Sequence, residues 1–208
     1  MRTIFALTLF HDNKNENERW ICEVIDVEAA FLEADMDENI YIEWPDGVRD
    51  YNYENERDTT KYCILLEKAM YGTVQAALQW FKKLVKSLKI VGLEQSKVDP
   101  CIFYVKKKGK LVLLIGTHVD DCAVAGKPED VEFFKKEIKK HFTIKELGTL
   151  SKHLGVWYKW GEDNIGRYLE LSMEDFVQGM TNDFQSLFGR LPKIATTLPS
   201  ACSVYPAL

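Results

Sequence analysis

Apolar and polar positions along this chain follow two periods. In Gln75–Val91, Ala76, Ala77, Trp80, Phe81, Leu84, Val85, Leu88 and Val91 recur at spacings of three and four, which predicts an amphipathic helix with one wide apolar stripe. Lys82, Lys83, Lys86 and Lys89 fall off that stripe, and Gly92 stands where a helix stop is expected. Pro128–His141 predicts a second helix, with Pro128 near its first position and Val131, Phe134 and Ile138 facing inward. Ser172–Phe188 predicts a third, with Ser172 as cap and Asp175 three residues on, close to a capping box. Val27–Ala34 reads as a short helix.

Strand signals lie between these helices. Trp20–Ile25 is rich in β-branched residues and ends at Asp26. Asn39–Trp44 is a second strand, stopped by Pro45-Asp46-Gly47, and polar Arg49–Lys61 reads as a surface loop before a strand at Tyr62–Leu66. Cys101–Val105 and Lys110–Thr117 flank a K-K-K-G turn, and Cys122–Ala125 follows. Leu154–Trp160 and Tyr168–Leu171 form a hairpin around Gly161–Gly166. Strands and helices mix without regular alternation. The pattern predicts an α+β fold, with an antiparallel sheet of three or four strands and helices packed on one face.

Composition narrows the class. With 208 residues and 46% hydrophobic content, the chain can build one domain, or one and a half, around a real core. The longest aliphatic run, Leu111–Ile115, is far too short to cross a bilayer. Met1–Phe10 has a basic residue before an apolar stretch, as a signal peptide does. Polar His11–Glu18 follows without a small-residue cleavage site, so that reading is rejected. Five cysteines (Cys22, Cys63, Cys101, Cys122 and Cys202) include no C-x-x-C pair, which argues against a zinc site or a disulfide frame and for a reducing compartment.

Net charge is −5, but it is unevenly spread. Residues 1–80 carry 7 basic and 17 acidic side chains, whereas residues 81–140 carry 14 basic and 8 acidic. The lysine-rich middle is either a solvated face or a surface for a polyanion.

Two places could carry chemistry. In L-V-L-L-I-G-T-H-V-D-D-C-A-V-A-G, Leu111–Gly126, two apolar strands flank His118-Val119-Asp120-Asp121. Such a run forms a tight hairpin that holds adjacent carboxylates at its turn, and hard oxygen ligands of this kind suit Mg²⁺. An ordinary polar turn would use the same residues. In V-I-D-V-E-A-A-F-L, Val24–Leu32, Asp26 sits where a strand gives way to a helix. It could complete a metal site, serve as the helix N-cap, or both. His118 reads as packed behind the turn. His11, His141 and His153 lack ligand spacing, and Trp80, Phe81, Phe133, Phe134 and Phe142 read as core.

The order of these pieces resembles the reverse transcriptases of copia-type retrotransposons. D-V-E-A-A-F-L-E-A-D-M-D-E-N-I-Y-I-E-W-P-D-G-V, Asp26–Val48, resembles the block that carries their first catalytic aspartate. L-E-K-A-M-Y-G-T-V-Q-A-A-L-Q-W, Leu66–Trp80, is similar to their L-Y-G-L-K-Q-A-P-R-Q-W block. S-K-V-D-P-C-I-F, Ser96–Phe103, is similar to the D-P-C block, and H-V-D-D, His118–Asp121, to the Y-V-D-D signature. F-T-I-K-E-L-G and H-L-G-V, within Phe142–Val156, resemble the blocks that follow. Five ordered blocks over about 130 residues are far more specific than any one motif.

The resemblance implies a ferredoxin-like palm in residues 1–160, with a hairpin, a helix and the start of a thumb or connection region in residues 161–208. It implies template-directed DNA synthesis from deoxynucleoside triphosphates on an RNA or DNA template with primer. Asp26, Asp120 and Asp121 would be the catalytic carboxylates and would hold two Mg²⁺ ions, with Mn²⁺ as an alternative. Phe31 would exclude a 2′-hydroxyl, Tyr71 and Gly72 would line the nucleotide and template pocket, and Leu154 and Gly155 would grip the primer end. Backbone N–H groups just after Asp26 would face phosphate oxygens.

The departures from the family pattern are His118 for Tyr, Val74 for Lys and Ala77 for Pro. Asp26 is preceded by only 25 residues, so the fingers read as largely missing and the chain as a truncated copy. No membrane association is expected, oligomeric state is unreadable, and family resemblance places the protein in cytoplasmic particles or the nucleus. The competing readings are an inactive palm remnant that binds nucleic acid and an unrelated α+β interaction module.

Overall fold

A computed structural model describes residues 2–10, 19–44, 63–189 and 202–204. Helix α1 (Arg2–Phe10) precedes strand β1 (Ile21–Val27), a one-turn helix α2 (Ala30–Glu33), β2 (Asp35–Glu43) and β3 (Cys63–Lys68). Next come α3 (Ala76–Val91), β4 (Glu94–Gln95), β5 (Ile102–Lys107), β6 (Lys110–His118), β7 (Asp121–Gly126) and α4 (Pro128–Ile138). The described chain ends with β8 (Ile144–Thr149), β9 (Lys152–His153), β10 (Val156–Glu162), β11 (Arg167–Ser172), α5 (Glu174–Phe188) and β12 (Cys202–Val204). The expected turn at Pro45–Gly47 and the loop at Arg49–Lys61 lie outside the described residues, as does His11.

The fold is α+β, built on a six-stranded antiparallel sheet in the order β4-β5-β6-β7-β1-β8. It is wider than the three or four strands expected, because its edge strands, E-Q and I-K-E-L-G-T, are too polar or too short to show in the hydropathy pattern. A second antiparallel sheet has the order β12-β11-β10-β9, and β2 pairs with β3 alone. The expected division between residues 160 and 161 falls within β10.

Helices α3 and α4 cover one face of the large sheet. Trp80, Leu84 and Leu88 of α3 and Val131, Phe134 and Ile138 of α4 pack there on Ile25, Val27, Phe103, Ile115 and Val124. Helix α3 forms where its stripe predicts, and Gly92 ends it with φ 102°, a conformation that costs a residue with a Cβ. Pro128 opens α4, as expected. Helix α5 starts one residue later than expected, with no side-chain cap. Asp175 instead accepts hydrogen bonds from Lys152 Nζ at 2.7 Å and Trp157 Nε1 at 2.9 Å.

The opposite face is covered too. Ile4, Phe5 and Leu9 of α1 join Tyr158 and Leu169 of the second sheet over Cys22, Val24, Leu114, Ala123 and Ala125. Phe5 and Tyr158 lie with ring centroids 4.9 Å apart. Residues Leu113–Thr117 and Cys122–Gly126 are therefore buried without alternation, because both of their faces are covered. Among the described residues, no helix is long and apolar enough to cross a membrane. Cys22, Cys63, Cys101 and Cys122 are free thiols.

Lysine 135 ties α4 to the sheet. Its Nζ lies 2.9 Å from Glu23 of β1 and 2.9 Å from Glu146 of β8, and it also meets Glu132 of its own helix. Burial pulls the Lys135 pKa down, but its carboxylate hydrogen bonds prevail and hold it above the ordinary lysine value.

Candidate active site

Strand β1 runs on past Asp26 to Val27, because Val27 is apolar and fills the core under α3. Asp26 is thus a strand residue and no helix cap. The residue before α2 is Ala29, at φ 51°. The strand pairing places Asp26 directly opposite Asp121 of β7 on one side and Lys145 of β8 on the other. Directly opposed residues share a sheet face, so two carboxylates stand side by side where like charges cost stability.

The β6–β7 hairpin supplies the other acidic groups. His118 pairs with Asp121 across a two-residue turn, Val119-Asp120. Val119 adopts φ 56°, a position that tight hairpins give to Gly or Asn and that a β-branched residue rarely takes. Two bonds hold the turn. The Val27 N–H donates to the Asp120 carbonyl at 3.0 Å, and Trp80 Nε1–H donates to the Val119 carbonyl at 2.6 Å. Trp80 is in turn buried edge-on against Phe142, at 5.1 Å between centroids. The acidic turn is therefore fixed both to its neighbouring strand and to α3.

The neighbouring carboxylates act on Asp26. Burial, then the charges of Asp120 and Asp121, hold the Asp26 carboxyl above its ordinary value, and Lys145 opposes this. Burial and the same acidic group push the Cys122 thiol up to about 12, so Cys122 is a packing residue and not a nucleophile. Asp26, with the two carboxylates that raise its proton affinity, forms a donor set of oxygens alone, whose repulsion a hard cation would relieve. They do not form a closed cage: among the described residues, no three His, Cys, Asp or Glu side chains already converge as a metal-binding group.

The other expected site residues fall into two groups. Phe31 of α2 and Tyr71 stack with centroids 4.4 Å apart, and Gly72 beside them takes φ 96°. Leu154 and Gly155, at φ 50° and 77°, form the two-residue turn between β9 and β10, where His153 pairs with Val156. Leu154 is half-exposed at that turn.

Three expectations are corrected. Phe133, read as core, is an exposed residue of α4. The N–H groups of Val27 and Glu28 do not face outward, because they donate to the carbonyls of Asp120 and Thr143, each at 3.0 Å. His118 is exposed and does not pack behind the turn.

Two residues of the site escaped the sequence reading. Trp80 was legible only as one apolar position in a stripe, with nothing to announce the hydrogen bond of its indole. His153 is 4% exposed, and its Nδ1 lies 3.6 Å from Asp121 Oδ2. No ligand spacing marks it, because it comes from a two-residue strand of the second sheet.

The family model described as reverse transcriptase (RNA-dependent DNA polymerase) matches residues 9–195. The chain is 29% identical over 185 residues to the retrovirus-related Pol polyprotein from transposon TNT 1-94 of Nicotiana tabacum, covering 88% of this chain and 13% of that protein. It is 30% identical over 154 residues to a transposon Ty5-1 protein of Saccharomyces cerevisiae, covering 74% of this chain and 47% of that one. Over 138 residues it is 28% identical to the retrovirus-related Pol polyprotein from transposon RE1 of Arabidopsis thaliana, covering 66% and 9%. The chain spans less than half the length of each of these relatives. An unrelated interaction module is thereby set aside, and the chain belongs to the reverse transcriptase (RNA-dependent DNA polymerase) family, in the branch carried by copia-type retrotransposons.

Proposed function

We propose that this chain is the palm of an RNA-directed DNA polymerase that extends a primer with deoxynucleoside triphosphates on an RNA or DNA template. Residues 1–160 form the palm, and residues 161–208 begin a thumb or connection region. The observation that carries the reading is the pairing of Asp26 with Asp121 across adjacent strands, beside a turn fixed at Val119-Asp120. A fold that opposes two carboxylates inside its sheet has given up stability there, and such local conflict is characteristic of a functional site.

Asp26, Asp120 and Asp121 would hold two Mg²⁺ ions, with Mn²⁺ as an alternative. Bound there, the ions would lower the pKa of the primer 3′-hydroxyl and neutralise charge on the triphosphate. The chain's own part is to orient and exclude. Phe31, braced by Tyr71, would press on the sugar of the incoming nucleotide and leave no space for a 2′-hydroxyl. Gly72 would let the template approach the backbone closely. The Leu154-Gly155 turn would hold the primer terminus toward Asp121. By family resemblance, the setting would be a cytoplasmic particle or the nucleus.

The test is primer extension on an RNA template with Mg²⁺, comparing wild type with Asp120→Asn. Extension by wild type and its loss in the variant support the reading. No extension by either, with primer–template binding retained and weakened by salt, would support a non-catalytic remnant instead.

A further inference from the structure

His153 has an environment that neither packing nor the roles assigned so far explain. Its ring is buried, and Nε2 is the one buried side-chain nitrogen or oxygen among the described residues without a hydrogen-bond partner. A buried polar atom left unsatisfied is destabilising, so the ring is held in place at some expense. Its other nitrogen faces Asp121, with Nδ1 at 3.6 Å from Oδ2. That separation is longer than a hydrogen bond. Contacts of this kind often tighten only when a site is loaded, and an approach of about half an ångström would make this one a bond.

The position of His153 in the chain adds a second observation. It is the last residue of β9, immediately before the strained Leu154-Gly155 turn, and it pairs with Val156 across that turn. The segment just before β9 is stitched to β1 by Leu150 N–H donating to the Cys22 carbonyl at 2.9 Å. One side chain thus spans from the turn of the second sheet to a carboxylate of the first.

We propose that His153 is a positioning residue: its Nδ1–H donates to Asp121 in the loaded enzyme, fixes the rotation of that carboxylate, and locks the Leu154-Gly155 turn to the acidic end of the sheet. The neutral ring with its proton on Nδ1 fulfils this role and leaves Nε2 as a buried acceptor. A partner that orients a ligating carboxylate without touching the ion contributes about 10–100-fold in metal affinity or activity. The inference rests on Asp121 holding a divalent cation, as proposed above.

The experiment compares wild type, Asp121→Asn, His153→Phe and His153→Asn. Asn can place a side-chain N–H near the position of Nδ1, whereas Phe fills the ring's space and donates nothing. The first readout is direct binding of Mn²⁺ to each folded protein, followed by the loss of its free-ion paramagnetic resonance signal. The second is primer extension, with the kcat and the nucleotide KM separated. His153→Phe is expected to bind Mn²⁺ at least about tenfold more weakly and to lower kcat with KM within about twofold. His153→Asn is expected to recover most of both. A merely structural role would make the two variants equally defective, and that result overturns the inference. So does a His153→Phe protein with wild-type affinity for Mn²⁺. If wild type binds Mn²⁺ and Asp121→Asn binds it equally well, the site reading itself has failed and this inference falls with it.

Discussion

Replacing Lys135 by Met tests how the palm is held together. The Lys135 side chain is 6% exposed and contacts carboxylates of β1, α4 and β8. Met keeps the apolar length of the side chain and removes the charge. Removing one partner of a buried ion pair costs about 3–5 kcal/mol, because the other charge is left without compensation. Here the full figure does not apply. Glu132 is 66% exposed and stays hydrated by water, and Glu146 retains Lys139. Glu23, 18% exposed and paired to Lys135 alone in the described structure, carries most of the loss. The expected destabilisation is therefore about 2–3 kcal/mol, read as a lower urea midpoint with unchanged slope. For a chain of this size it corresponds to a fall in Tm of roughly 5–10 °C. The pH dependence follows with a definite sign. Hydrogen bonds from Lys135 and then Lys139 depress the Glu146 carboxyl from 4.5 to about 2. A carboxylate with a depressed folded pKa contributes stability above its ordinary pKa and loses it as pH falls toward the folded one. The gap between wild type and Lys135→Met should thus be full at pH 7 and narrow between about pH 4.5 and 2. A variant within 0.5 kcal/mol of wild type at pH 7, or a gap that widens on acidification, would refute the reasoning.

Three further outcomes are expected. Asp26→Asn should raise Tm at pH 7 without divalent cations, because burial and two neighbouring carboxylates penalise the ionised Asp26, and the gain should shrink as pH falls and wild-type Asp26 protonates. Added Mg²⁺ should raise the Tm of wild type and leave the variant unmoved. Trp80→Phe should cost about 1–2 kcal/mol in urea denaturation, since the Val119 carbonyl loses its indole donor, and should slow primer extension beyond any loss of folded protein. Val119→Gly should relieve about 1–3 kcal/mol of positive-φ strain against about 0.4–1 kcal/mol of added chain entropy, giving a net stabilisation in the same assay.

Much of this architecture is legible in the sequence because it is local. The stripe of α3, the stop at Gly92 and the K-K-K-G turn all depend on neighbours within a few positions, and each forms as the pattern requires. The acidic trio is legible for a related reason: strand ends and two-residue turns fix where a side chain stands, whatever surrounds them. What escaped depends on distant segments. Helix α1 is short and nearly uncharged, so its amphipathic spacing, Ile4, Phe5, Thr8 and Leu9, carries little contrast. Its partner was nonetheless announced elsewhere. Leu111–Ile115 and Cys122–Ala125 are continuous apolar runs, and a sheet packed on one face alone would alternate there. A second cover was implied by β6 and β7, and α1 with the second sheet provides it. His153 had no such herald, since its meaning comes wholly from a carboxylate on another sheet.

Several lysines of the chain's lysine-rich middle pair with carboxylates of the molecule itself. Lys83 pairs with Glu33 at 3.6 Å, Lys82 with Asp37 at 3.8 Å, Lys107 with Asp130 at 2.6 Å and Lys140 with Glu137 at 2.6 Å, while Lys135 and Lys139 engage Glu146. Part of the positive excess is thus matched by acids outside the segment: Lys82 and Lys83 of α3 reach Asp37 and Glu33, and Lys135 and Lys139 reach Glu146 of β8. The K-K-K-G-K tip of the β5–β6 hairpin keeps exposed lysines, but it lies at the far end of β6 from Val119-Asp120, about 26 Å away at the usual rise per strand residue. Among the described residues, Lys145 is the cation that opposes the charge of Asp120 and Asp121 on Asp26. The carboxylates of Asp26, Asp120 and Asp121 would by themselves repel a polyanion there. Binding of primer and triphosphate at that end should then depend on divalent cations more steeply than a basic cleft would, so omitting Mg²⁺ should weaken primer–template affinity as well as abolish turnover.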